Sequence, residues 1–273
     1  MKKVYRVAAA GDNCIDYYRD TGRGYPGGNP VNVAVYLQRY GCAASYIGAV
    51  GNDKYGNLIR TELISAGIDV SHLRTEHGST AISYLNLVDG ERIFDADYEE
   101  GVMENFRLND ADIEFIARHD LLVSGVWGHT MDDLARIHEK GMPVAFDFST
   151  EWQQENLDRA ASYTDYAFFS SDGKDRDIIP GFMKHVKAMG PKIVVMTMGS
   201  DGSLVYDGYS FTEFGIIDCP VVDTMGAGDS YIAGFLAGIM EGKEISECMR
   251  KGAEGSALTI GYRGAWKQHA QRN

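Results

Sequence analysis

The sequence is short of several things at once. Its four cysteines, Cys14, Cys42, Cys219 and Cys248, are scattered without CxxC spacing. That argues against a metal knuckle or a disulfide framework and suits a reducing cytoplasm. No apolar run approaches the ~18 residues of a membrane span. The apolar stretch behind the two N-terminal lysines is too short for a signal peptide and reads as a first buried strand. Basic charge is scarce: 26 Lys and Arg face 39 Asp and Glu, a net −13. This speaks against a nucleic-acid surface without excluding a local phosphate site. The seven histidines form no HExxH pair, and there is no GxxxxGK[ST] P-loop. What is present, 273 residues of which 44% are hydrophobic, suffices for one large α/β domain or two small ones.

Strand-like and helix-like segments alternate along the chain. Residues 4–10, 45–50, 121–126, 144–148, 166–170 and 193–198 read as short buried strands. Asn29 with Pro30 opens a helix that Gly41 stops, and a second helix over 55–63 ends at Gly67. Asn109 caps another, and Thr130 with Asp133 resembles a capping box. Residues 11–29 are polar and Gly-rich, a loop or exposed strand. Residues 79–98 break the rhythm, because AISYLNLV and ERIFDADY flank Asp89-Gly90, a hairpin signal with no helix between. They predict a small sheet standing off the main domain. Asp207-Gly208 marks a second hairpin. Such alternation predicts a mainly parallel sheet covered by helices on both faces, with ligands at the carboxyl ends of its strands.

The chain is organised around DTMGAGDSYIAGFLAGI, residues 223–239. Tyr231, Ile232, Phe235, Leu236 and Ile239 recur at helical spacing, so a buried helix starts near Gly228. Gly226 and Gly228 flank Ala227 and let the backbone N–H groups converge into an anion-binding nest at the helix's positive end. Asp229 beside that nest would repel a phosphate unless it takes a proton from an attacking hydroxyl. The plainer alternative is an ordinary helix start with a favourably placed acid.

Three further stretches can carry chemistry. In PGGNPVN, Gly28, Asn29 and Asn32 suit a sugar's hydroxyls, or are simply a turn and a cap. In TMGSDG, Thr197, Gly199 and Gly202 could cradle a nucleotide, or form a plain turn. Asp12 and Asp16 follow the first strand, where carboxylates can hold hydroxyls and where loop aspartates are also commonplace.

Together, GGNPVNVAVYLQRYG and DTMGAGDSYIAGFL resemble the two signatures of the ribokinase-like (PfkB) carbohydrate kinases. VGNDKYG, TMGSDG and Arg263-Gly264-Ala265 match further landmarks of that family. The resemblance implies a single three-layer α/β/α domain over 1–273, with a small β-lid from about 13–28 and 78–101. It implies Asp229 as base, an anion hole from Gly226, Ala227 and Gly228, and an ATP site along Thr197, Gly199, Gly202 and Thr224. It also implies magnesium, leaves a monovalent cation open, and allows a homodimer through the lid. The family's Asn-x-x-Glu is replaced by Ser170, Ser171, Asp172 and Asp175, so the protein's magnesium contacts stay unassigned. FDFS, ending at Ser149, stands where many members have Asp-Pro-Asn.

Within the family, GDNCID, PGGNPVNVAVY, YEEGVM, WGH and FDFS resemble the subgroup that phosphorylates the 6-hydroxyl of a sugar–amino acid conjugate of the fructoselysine type. For such a cationic substrate the acidic run DADYEE, with Asp97 and Glu100, would be favourable, although it also reads as a solvated face. Trp127 and His129 would contact the conjugate, with core packing the alternative for Trp127. A kinase for fructose, ribose, 2-keto-3-deoxygluconate or a nucleoside shares everything but the substrate contacts. A silent nucleotide- or sugar-binding protein would keep the site without turnover.

Overall fold

The computed structural model describes residues 3–88, 90–171 and 173–268, and of Ala96 and Asp97 the backbone alone. The chain begins with β1 (Arg6–Ala10), β2 (Cys14–Tyr18), β3 (Arg23–Gly27) and α1 (Asn29–Arg39). Next come β4 (Ala43–Gly51), α2 (Lys54–Ser65), β5 (Asp69–Glu76), β6 (Ile82–Val88) and β7 (Glu91–Glu99). Then α3 (Asp110–Ile116), β8 (Leu121–Gly125), α4 (Leu134–Glu139) and β9 (Val144–Asp147) alternate. The alternation continues through α5 (Gln154–Ala160), β10 (Tyr166–Ser170), α6 (Ile179–Ala188) and β11 (Ile193–Thr197). Last are β12 (Ser203–Tyr206), β13 (Phe211–Phe214), α7 (Ala227–Met240) and α8 (Ile245–Thr259).

Nine strands form one sheet in the order β13-β12-β11-β10-β9-β8-β1-β4-β5. It is parallel from β11 to β5, and β12 and β13 close one edge antiparallel. Successive side chains of a strand point to opposite faces. Val7 and Ala9 therefore join a core shared with α1, α2, α7 and α8, and Ala8 and Ala10 one shared with α3 to α6. The result is the three-layer α/β/α arrangement, with strand ends converging on one rim. A separate four-stranded sheet runs β3-β2-β6-β7 above that rim's loops. Its β2–β6 pair is parallel, and the flanking pairs are antiparallel.

Several local expectations need correcting. Asn29 does not cap α1. Gly28 holds that position with φ +104° and no side-chain cap, because the Asn29 side chain is drawn to two carboxylates described below. Thr130 makes no cap either; its hydroxyl meets the buried Ser124 hydroxyl at 2.6 Å. Asn109 does cap α3, reciprocally with Asp112. Of the two readings of the stretch after β1, strand is the one observed, as β2 paired with β3, but β2 is mostly buried, not exposed. Asp207-Gly208 opens a four-residue connection, since Tyr206 pairs with Phe211 and the Asp207 carboxylate accepts from the amides of Tyr209 and Ser210. The β6–β7 turn brackets Gly90 with Val88 opposite Glu91; Asp89 lies outside the described residues.

Candidate active site

Helix α7 starts where the left-handed Gly226 (φ +75°) turns the chain inward. The amides of its first turn have no intrahelical partner; those of Gly228 and Asp229 stay outside the α-helical ladder, whereas that of Ala227, expected to face an anion, donates to the Thr224 carbonyl at 3.2 Å. Asp229 is held by both oxygens. Asn29 Nδ2 donates to Oδ1 at 2.8 Å and Asn32 Nδ2 to Oδ2 at 2.7 Å. These asparagines are three residues apart on α1 and so share a helix face. Trp266 Nε1 donates to Asn32 Oδ1 at 3.1 Å and fixes that amide. Asn29 Nδ2 also reaches Asp147 Oδ2 at 2.8 Å, at the end of β9. Burial pushes the Asp229 carboxyl above its ordinary range, and the two asparagine bonds oppose that shift.

Around this core stand three more buried or partly buried acids. Asp12, just past β1, accepts the Asn29 amide at 3.1 Å, and Asp16 lies on β2. Loss of solvation raises Asp12 to about 6, and Asp16 and Asp147 each to about 7. One oxygen each of Asp12, Asp16, Asn13 and Asn29 is buried with no partner among the described residues. A buried polar atom left unpaired costs about 1–3 kcal/mol. Unpaired oxygens such as those of Asp12, Asp16 and Asn29 in this region fit a ligand rich in hydroxyl donors. Gly28 lets α1 come this close, because a methyl there would stand 2.6 Å from the Asn13 Cα and 2.7 Å from the Asp12 carbonyl oxygen.

The raised acids make a stability prediction. Between the ordinary value of 3.8 and about 7, folded Asp16 holds a proton that the unfolded chain releases. Stability therefore falls as pH rises through that window, by up to about 1.4 kcal/mol per unit for each such group. The melting temperature of the ligand-free protein should drop from pH 5 to pH 8. Asp16→Asn should flatten the drop and raise the melting temperature at pH 8. A variant curve parallel to wild type would refute the assignment.

On the other side of α7, Thr197 ends β11 and its hydroxyl donates to the Phe169 carbonyl at 3.2 Å. Gly199 and Gly202, both at positive φ, shape the tight turn into β12. Tyr231 on α7 donates to the Ser203 hydroxyl at 2.8 Å, tying this turn to the helix. Thr224 is placed differently from the other expected nucleotide contacts. Its amide donates to the Gly90 carbonyl at 3.1 Å and its hydroxyl to Glu91 at 3.2 Å, while its carbonyl accepts from Arg92 at 2.7 Å. The β6–β7 hairpin thus rests on the loop that leads into the Gly226 turn. Asp223 anchors the same loop, accepting from Tyr18 at 2.5 Å, Gly264 at 2.8 Å and Met225 at 2.9 Å. Through Gly264 the RGA triplet is thus tied to the loop ahead of GAGD.

Past β8, Gly125 lies against Asn29 and Asp147, and Gly128 against Gly11. Trp127 between them is 56% exposed, so it is not a core residue. His129, at φ +52°, stands 3.7 Å from Glu100. Elsewhere in the acidic run Asp95 is taken by Arg19, and the Asp97 side chain lies outside the described residues. The Tyr98 hydroxyl is raised by desolvation and by the neighbouring Cys14, Asp12, Glu100 and Asp16. Of the suspected metal segment, Asp175 accepts the Asp177 amide as a turn cap, and Asp172 lies outside the described residues. Sequence reasoning missed Asn13, Tyr98, Arg92 and the pairing of Asp147 with Asn29. The hairpin turn was a signal for where Arg92 falls, but nothing local marked its partner.

Residues 4–270 match the pfkB family carbohydrate kinase model. The chain is 40% identical over 260 residues to fructoselysine 6-kinase of Escherichia coli (strain K12), covering 95% of this chain and 99% of that protein. It is 36% identical over 264 residues to fructosamine kinase FrlD of Bacillus subtilis (strain 168), covering 96% and 93%. Arabidopsis thaliana ribokinase, solved in complex with ribose and ATP, has a TM-score of 0.80 at 20% identity, covering 97% of this chain and 95% of that one. That likeness speaks for the fold. A signature match over nearly the whole chain, joined to full-length relatives at this identity, makes the chain a member of the pfkB family of carbohydrate kinases.

Proposed function

We propose that the chain transfers the γ-phosphoryl group of ATP to the 6-hydroxyl of a fructoselysine-type sugar–amino acid conjugate. One observation carries the reading: Asp229, gripped by Asn29 and Asn32, stands beside the Gly226–Gly228 nest and next to unpaired buried oxygens suited to sugar hydroxyls. The names borne by the relatives at 36–40% identity support the substrate class. The 6-oxygen forms a bond to phosphorus, the bond to the β,γ-bridging oxygen breaks and ADP leaves. Asp229 takes the hydroxyl proton. A carboxylate is a weak base for a free alcohol, but in a loose transition state the proton leaves late, already acidified. The nest's amides stabilise the transferring charge. Thr197, Gly199 and Gly202 would line the nucleotide, and Asp12, Asp16, Asn29 and Asn32 the sugar. No group of three His, Cys, Asp or Glu is gathered as a metal cage among the described residues. Magnesium fits as an ion carried on the nucleotide phosphates, whose charge it screens.

The small sheet serves as a lid in this reading, and a cytoplasmic location agrees with the free cysteines. Ile93 and Phe94 on β7, each about half exposed, would meet a second copy. Sedimentation showing only monomer at micromolar concentration removes that part.

ADP release across fructoselysine, fructose, ribose and nucleosides tests the substrate. Wild type should prefer fructoselysine. Trp127, His129, Asp97 and Glu100 would receive the amine-bearing arm. Glu100→Gln should therefore raise KM for fructoselysine roughly tenfold or more beyond any change for fructose, as one charge-assisted bond is worth about 1.5–3 kcal/mol. Equal effects on both sugars would reduce the acidic run to a solvated surface. Outright preference for fructose or ribose would overturn the conjugate assignment and leave the kinase.

A further inference from the structure

A cavity of about 530 Å³ opens at the carboxyl ends of β4 and β5, against the helical turn over residues 101–105. Ala49, Arg74, Glu76, His77, Gly101 and Phe106 are among its walls, and none of the residues placed around Asp229 is. It adjoins them all the same. The Ala49 carbonyl accepts from Asn13 Nδ2 at 2.8 Å, and Gly101 directly follows Glu100, which stands 3.7 Å from His129. We propose that this cavity holds the amino-acid head of the sugar conjugate, with its α-carboxylate on the Arg74 guanidinium and its α-ammonium toward Glu76. The inference deepens the conjugate reading above and rests on it.

Arg74 supplies the recognition. Its Nη2 donates to the Arg107 carbonyl at 2.8 Å and lies 3.5 Å from a carboxylate oxygen of the buried Asp112. Its guanidinium also covers the Phe106 ring, 4.8 Å from the centroid. These contacts hold the fork still without using it up. Nε is buried and unpaired, and Nη1 also lacks a partner among the described residues. An arginine keeps its charge and its donors, so a fixed and part-used fork calls for an acceptor, a planar carboxylate above all. Glu76 is exposed on the same rim, with no salt bridge among the described residues. A cation and an anion side by side match a zwitterion better than a plain anion. The reach agrees. Ala10 of β1 pairs with Ile47 of β4, and Ala49 of β4 with Arg74 of β5. Arg74 is therefore level with Asp12, two strand spacings or about 10 Å away. A lysyl arm spans about 6 Å from the nitrogen that carries the sugar to its Cα, and the carboxylate lies beyond. Glu100 would then face the linking amine.

The experiment compares conjugates of one sugar: fructoselysine, the cadaverine conjugate, which lacks only the carboxylate, and the 6-aminohexanoate conjugate, which lacks only the α-amine. For wild type, KM for the cadaverine conjugate should exceed that for fructoselysine roughly tenfold or more. Its kcat should stay within about threefold, since the head is remote from the transferring group. Arg74→Gln should raise KM for fructoselysine and leave the cadaverine conjugate and fructose nearly unchanged, so that the preference for a carboxylate vanishes. Glu76→Gln should act likewise on the preference for the α-amine. If Arg74→Gln impairs every substrate alike, its role is structural and the proposal falls. Should Arg74→Gln melt early, Arg74→Lys keeps a cation beside Asp112 but loses the fork, and its preference should be weaker than that of wild type; an undiminished preference overturns the assignment. Wild type turning over all the conjugates with KM values within about threefold removes this inference alone. Turnover of fructose and of no conjugate would instead remove the conjugate reading beneath it.

Discussion

The Asp229→Asn variant is expected to fold, to bind nucleotide at least as well as wild type, and to lose kcat by roughly 10²–10⁴-fold, the span of a general base. The substitution keeps the side chain's size, so the effect should fall on the chemical step. Its amide oxygen can still accept from Asn32, whose own oxygen is committed to Trp266. The new NH2 would face the Asn29 NH2, a donor against a donor. Asn29 has a way out: its Oδ1 is buried and unpaired, so turning the amide over offers an acceptor, at the expense of the bond to Asp147. The melting temperature should consequently shift by no more than a few degrees. Nucleotide should bind more tightly if anything, since a negative charge beside the γ-phosphate is gone. Turnover within about tenfold of wild type would dismiss Asp229 as the base. Turnover lost together with nucleotide binding would point to damage in the nest instead.

Which of these relations the sequence discloses depends on their range. Helix α7 is legible because its apolar residues recur at three and four, and its Gly-rich entry is adjacent. The parallel sheet is legible because each strand and its helix are neighbours in the chain. Strands β2 and β3 are legible only as one of two alternatives, loop or exposed strand, because their sequence mixes tyrosines, charges and glycines without alternation. The edge strand β5 escapes, since only Leu73 along it is fully buried. At the site, Asp229 announces itself by standing beside a glycine nest. Asn29 disguises itself, because Asn-Pro at a helix start is the ordinary signature of a cap. Its real partners are 118 and 200 residues away, and no local pattern can show them. Arg92 is hidden for the same reason, its contact being 132 residues distant.

The Gly226→Ala variant should lose activity on the order of a hundredfold, the scale of losing preorganised oxyanion donors, and unlike Asp229→Asn it should also melt earlier. Gly226 sits at φ +75°, where a residue with a Cβ pays about 1–2 kcal/mol. Space is the harder limit. An added methyl would lie 2.8 Å from both the Cα and the Cβ of Ala265 and 2.9 Å from its carbonyl oxygen. Ala265 cannot retreat freely, because it is fully buried and its carbonyl accepts from Tyr36 at 2.8 Å. Its neighbours transmit any shift. Gly264 is bonded to Asp223, which shapes the loop ahead of Gly226, and Trp266 is bonded to Asn32, which holds Asp229. One methyl therefore disturbs the Gly226 turn and Asp229 from opposite sides. Adding Ala265→Gly should recover only part of the melting temperature, since it removes the Cβ contact and leaves those to Cα and oxygen. Kinetics and melting of the single and double variants decide it. A single variant with kcat within about threefold of wild type would show that the amides after Gly226 do not form the anion hole.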